Sequence, residues 1–100
     1  MIDKILWYLL AGTKGGETRA RIIHSIMKKP QNANQLSSSL NLDYKTIQHH
    51  LRILLENRMM TVFNKEKYGA VYFLSDEMKG NMGIFKEILA KFGKNLGKDS

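Results

Sequence analysis

Asp43-Tyr44-Lys45-Thr46-Ile47-Gln48-His49-His50-Leu51-Arg52-Ile53-Leu54-Leu55-Glu56-Asn57 is the stretch on which the reading of this chain turns. Asp43 is an N-cap residue type, whose side-chain oxygen can accept an amide of the first helical turn. Beyond it, a step of about 100° per residue gathers Ile47, Leu51, Leu54 and Leu55 into one stripe. The same step sends Lys45, Gln48, His49 and Arg52 to an arc about 100° to 200° away from Ile47. An amphipathic helix from Asp43 to about Asn57 follows. Its outer face carries the side-chain types that meet phosphates and base edges, although any solvated helix face is also polar. Thr46 flanks that face near the helix N-terminus, where the helix dipole favours a phosphate. Tyr44 lies near the cap, placed to pack or to touch a nucleic-acid backbone. His50 falls at the edge of the apolar stripe and reads as a buried structural histidine.

Just upstream, Asn41-Leu42-Asp43 reads as a tight turn. A short helix precedes it, with Asn32 as cap, Gln35 in the capping-box position, and Leu36 and Leu40 facing inward. Before that, Pro30 stops a helix over about Glu17–Lys28, whose inner face is Ile22, Ile23, Ile26 and Met27. Glu17 at its start and Lys28 and Lys29 at its end suit the helix dipole. Gly12, Gly15 and Gly16 read as a flexible connector. The first helix, Ile2–Leu10, is apolar nearly all round and needs more than one surface to bury it. It does not resemble a secretion signal: Asp3 offsets Lys4, and Ala11-Gly12-Thr13-Lys14 is a poor cleavage site.

Downstream, Met60–Asn64 and Ala70–Leu74 are rich in Val, Phe and Tyr and read as two strands. Gly69 supplies the left-handed residue that such a hairpin needs. The inward-facing register of the strands stays open, because both faces are partly apolar. Ser75 is a cap for one last helix reaching about Phe92, with Gly80 and Gly83 weakening its start. The order helix, helix, short helix, turn, long helix, hairpin, helix predicts a mainly α (α+β) fold, a winged helix-turn-helix. The whole chain, 1–100, is expected to be a single domain with its core at about 17–75.

Charge placement supports a polyanion partner. The net charge is +7, and residues 14–67 carry ten Lys or Arg against four Asp or Glu. The excess therefore sits around the turn and the hairpin, not at the ends. Lys65 and Lys67 at the hairpin tip can contact phosphates, or can protect an edge strand from pairing. The absence of cysteine removes disulfides and thiolate chemistry and is compatible with a reducing cytoplasm. No apolar run approaches the roughly 18 residues of a membrane span. With three histidines and no glycine-rich phosphate loop, no enzyme, cofactor or metal site is expected.

Residues 17–75 resemble the winged helix-turn-helix of the ArsR-like regulators, particularly their archaeal members. Thr18-Arg19-Ala20-Arg21-Ile22-Ile23, Asn34-Gln35-Leu36-Ser37, and above all Asp43 to Leu54 carry the resemblance, which the wing and Tyr72-Phe73-Leu74-Ser75 complete. It implies a regulator binding double-stranded DNA, usually as a homodimer. Lys45, Thr46, Gln48, His49 and Arg52 then face DNA on the recognition helix, with Tyr44, Asn34 and the wing residues Lys65 and Lys67 beside them. Metal-sensing members carry cysteines at the start of the short helix; Leu36-Ser37-Ser38-Ser39 stands there instead, so that thiolate sensor cannot exist and the effector is unknown.

Met78, Met82, Phe85, Leu89, Phe92 and Leu96 repeat in steps of four and three, a heptad seam. Such a stripe can pack on its own domain. Because the first helix is also apolar nearly all round, a two-fold interface between copies is expected. It uses Ile2, Ile5, Leu6 and Leu9 with Met82, Phe85, Leu89 and Phe92. Two readings compete with a sequence-specific regulator: a winged helix serving as a protein-interaction module, and a non-specific chromatin-type DNA binder.

Overall fold

In the computed structural model, which describes residues 2–65 and 69–92, Ile47, Leu51 and Leu54 are buried, and the other elements pack around that stripe. Each such side chain contributes about 1.5–3 kcal/mol relative to exposure. The elements follow in the order α1 (Ile2–Ala11), α2 (Gly16–Lys28), β1 (Gln31–Asn32), α3 (Ala33–Leu40), α4 (Tyr44–Glu56), β2 (Met60–Phe63), β3 (Val71–Leu74), α5 (Asp76–Lys79) and α6 (Met82–Phe92). Helices dominate, with a small antiparallel sheet in the order β1-β3-β2.

The local signals explain most boundaries. Asn32 and Gln35 form a reciprocal capping box: Gln35 N donates to Asn32 Oδ1 at 2.8 Å and Asn32 N to Gln35 Oε1 at 2.9 Å. Asn41 adopts the left-handed conformation, φ 55° and ψ 50°, which turns the chain between α3 and α4. Leu42 N closes the turn on Ser37 O at 3.0 Å, and Asp43 caps α4 by accepting from Lys45 N. Gly69 has φ 84°, as the hairpin requires, and Asn64 is left-handed as well. The strand register left open by the sequence is now defined. Met60 pairs with Leu74 and Val62 with Tyr72, and this face lies inward. Thr61, Phe63 and Phe73 lie outward.

Three features differ from the expectation. Gln31 and Asn32 pair with Tyr72 and Val71, adding a third strand too short to show a period. The expected single last helix is two: Gly80 and Asn81 break it, and Asn81 Nδ2 donates to Glu77 O while Phe85 N donates to Asn81 O. Gly15 and Gly16 are packed rather than a loose connector. A Cβ on Gly16 would lie 2.0 Å from Leu10 O, and one on Gly15 would lie 2.6 Å from the His50 ring. The α1 terminus can approach α2 only because those positions are bare.

Beneath α4 lies a buried cation. Arg19 is only 4% exposed. Its Nε donates to Leu9 O at 3.0 Å, its Nη1 to His50 Nδ1 at 3.0 Å, and its Nη2 to Thr13 Oγ1. All three acceptors are neutral. A guanidinium only donates, so His50 Nδ1 carries no proton in this contact. Burial first, then Arg19 and His49, hold the His50 imidazole below its ordinary value of 6.5. Folded His50 therefore stays neutral where the unfolded chain would bind a proton. Its contribution to stability is complete above about pH 6.5 and declines as pH falls toward the depressed folded value. His24, lowered by burial and by Lys28, acts in the same direction.

Urea midpoints measured from pH 7.5 down to pH 5 are expected to fall. A His50→Asn variant, whose amide oxygen keeps an acceptor for Arg19 but does not titrate, should flatten part of that fall; an unchanged slope would count against the network. Gly16→Ala is expected to cost about 1–3 kcal/mol in the same assay, because the added methyl overlaps backbone.

Candidate nucleic-acid interface

Opposite its buried stripe, α4 presents Lys45, Gln48, His49 and Arg52 to solvent. Tyr44 is exposed in the first turn of the helix, and Thr46 is half-buried. The division follows from the helical period: burying Ile47, Leu51 and Leu54 turns Lys45, Gln48, His49 and Arg52 outward. His50 falls on the buried side, 7% exposed, as its angular position predicts. Its ring meets that of exposed His49 edge-on, with centroids 4.9 Å apart.

The turn and the hairpin bring further residues to the same side. A shallow depression of about 170 Å³ lies between the start of α3, the start of α4 and the base of the wing. Asn34, Tyr44, Gln48 and Lys65 line it, all expected DNA contacts, together with Asn32, Ala33, Gly69, Ala70 and Tyr72. Tyr72 is half-buried, and its phenol is raised by burial and by the neighbouring Tyr44. Lys45, His49 and Arg52 extend the exposed face along α4 outside that depression. Lys67 lies outside the described residues. The assembled surface offers cationic, amide, imidazole and phenol groups with neutral hydrogen-bonding capacity, as expected of a surface that holds phosphates and touches base edges.

Sequence reasoning missed Arg19 as the support of this face. The signal was there: Arg19 precedes Ile22, Ile23 and Ile26 by three, four and seven positions, so it lies on the inner stripe of α2. A charged residue at an inward position marks a buried polar network.

The residues expected at a dimer interface divide. Leu6, Leu9 and Phe85 are buried within the chain itself. Ile5 is 38% exposed, and Ile2, Met82 and Leu89 are partly buried at the edge of the core. The side chain of Phe92 and all of Leu96 lie outside the described residues. Helix α6 packs on α1 of the same chain, where Lys91 Nζ stands 5.8 Å from the Trp7 ring centroid. The break at Gly80–Asn81 interrupts the seam, and Met78 on its near side is fully enclosed.

Comparison with known proteins agrees with this architecture. Residues 16–61, from α2 into β2, match the family model for the bacterial regulatory protein, arsR family. Among solved structures, diamide-treated YodB from B. subtilis is similar over 87% of this chain and 84% of its own, at 19% identity and a TM-score of 0.65. A structure described as an HTH-type transcriptional regulator, ytcD, is similar over 97% of both chains, at 18% identity and a TM-score of 0.63. Comparison with curated proteins yields no match. The family model and the ytcD structure are both described as regulators. Among the described residues no helix is long and apolar enough to cross a membrane. Over residues 16–61 this chain is thus similar to the arsR family of bacterial regulatory proteins, and it shares its fold with the two solved structures.

Proposed function

We propose that the protein is a cytoplasmic transcriptional regulator that binds duplex DNA sequence-specifically as a homodimer. The recognition helix, about 43–57, enters the major groove, and the wing at 64–69 holds the flanking backbone. One observation carries this reading. The helix that follows the turn buries Ile47, Leu51 and Leu54 and turns Lys45, Gln48, His49 and Arg52 outward, on the side where Asn34 and Lys65 also stand. Arg52 and Gln48 suit base edges, and Lys45, Thr46, Tyr44 and Lys65 suit phosphates.

Exposed apolar surface on α1 supports the dimer. Tyr8 is 63% exposed and Ile5 lies beside it on the same helix. The contact then falls to Ile2, Ile5, Met82 and Leu89 at the edges of α1 and α6, since Leu6, Leu9 and Phe85 serve the protomer's own core. A two-fold arrangement matches half-sites one helical turn apart.

A second reading has its own observation. Phe63 and Phe73 stand on the outward face of the wing, Phe63 at 62% exposure, and an apolar wing face suits contact with protein.

Selection of sites from random duplex DNA at physiological salt separates the two. A palindromic consensus is expected; no enrichment would reject sequence reading and favour the interaction module. On the selected site Arg52→Ala should lose about 1–3 kcal/mol if Arg52 is bidentate to guanine. Lys65→Ala should weaken binding to all sequences alike and reduce the salt slope by about one. A salt slope unchanged in Lys65→Ala would remove the wing from the interface.

A further inference from the structure

Tyr44 and Gln48 stand one helical turn apart on the exposed face of α4, and Gln48 Nε2 donates to Tyr44 Oη at 3.0 Å. Both line the depression beside the wing, where Tyr72 flanks Tyr44. The bond bears on which way the Gln48 amide faces. A glutamine amide has an oxygen that accepts and an NH2 that donates, and turning it over exchanges them. A phenol has one proton. When that proton goes to an acceptor-only group, the phenol oxygen can only accept, and the amide must offer its NH2. A DNA phosphate is such a group, and Tyr44 sits in the first turn of α4, beside Lys45 and Thr46.

With one N–H held by Tyr44, Gln48 keeps one N–H and a free Oε1. A donor and an acceptor side by side match adenine, which presents N7 as acceptor and N6 as donor in the major groove. Guanine presents two acceptors there, thymine one acceptor and a methyl group, and cytosine one donor. An untethered amide could turn over and lose part of that distinction.

We propose that Gln48 determines specificity for adenine at one base pair, and that Tyr44 is the positioning residue that holds its amide in the reading orientation. The inference rests on the DNA-reading function proposed above and names the base that this face selects.

The test is site selection from random duplex DNA with the protein and its Tyr44→Phe and Gln48→Ala variants, each checked for wild-type helicity by circular dichroism. Tyr44→Phe keeps the ring and deletes only the hydroxyl. The wild-type consensus is expected to carry an adenine in each half-site whose preference Gln48→Ala abolishes, leaving the other positions in place. Discrimination against guanine at that position should be about tenfold or more in the wild type. It should shrink to about threefold or less in Tyr44→Phe, while loss of the phosphate contact weakens binding to all sequences alike and leaves the other consensus positions in place. A Gln48→Ala consensus identical to the wild type would overturn the role of Gln48. Full discrimination in Tyr44→Phe would overturn that of Tyr44. Either result leaves sequence reading itself intact, whereas a wild-type protein that selects no consensus overturns both.

Discussion

The Arg19 guanidinium is the interaction on which the arrangement of α1, α2 and α4 depends. It stands on α2 and reaches the end of α1 through Leu9 O, the connecting loop through Thr13, and the underside of α4 through His50. A buried charge must be fully hydrogen-bonded, and here three separate segments must converge to supply the acceptors. Apolar packing alone would let these helices slide with little loss. A directional donor fork does not. The bare Gly15 and Gly16 belong to the same constraint, because a side chain on Gly15 would collide with the Arg19 and His50 groups. Arg21 adds a further tie, donating to Leu40 O at the end of α3 at 2.9 Å.

The outer surface of α4 is therefore supported from within. Its inner stripe is apolar where it meets the core and polar at one point, His50, where it meets Arg19. On the outward face the contacts within α4 are the Asp43 cap, the Gln48–Tyr44 bond and the edge of His49 against His50. Lys45 and Arg52 extend from this face into solvent.

How much of this was legible follows from the range of each signal. Helix α4, its cap, the capping box at Asn32 and Gln35 and the left-handed Gly69 all rest on residues a few positions apart, and each appears where the sequence placed it. The outward positions of Lys45, Gln48, His49 and Arg52 follow from the same short-range period. What the sequence hid depends on partners far along the chain. The strand at Gln31–Asn32 exists because β3 lies beside it, forty residues on. The packing of Gly16 exists because Leu10 lies against it. The heptad spacing from Met78 onward could not show whether its apolar face met a second copy or its own α1, because both produce the same pattern; Phe85 meets the chain's own core. Gly80 falls at the break in the last helix and Gly83 lies within α6, yet only the Asn81 bonds show that the chain turns there.

Those Asn81 bonds have a mechanical meaning. The side-chain amide terminates α5 on Glu77 O, and the carbonyl of the same residue begins α6 by accepting from Phe85 N. One residue between the two helices thus ends the first and starts the second, so the corner is set by its bonds. Ser75, at the other end of α5, ties it to the body by donating to Arg58 O at 2.7 Å. The axis along which α6 leaves is then a built-in property of the single chain, aimed before anything approaches it. A surface that mates with α6 has to fit that axis as it stands, and the spacing of any larger assembly is inherited from a two-residue corner.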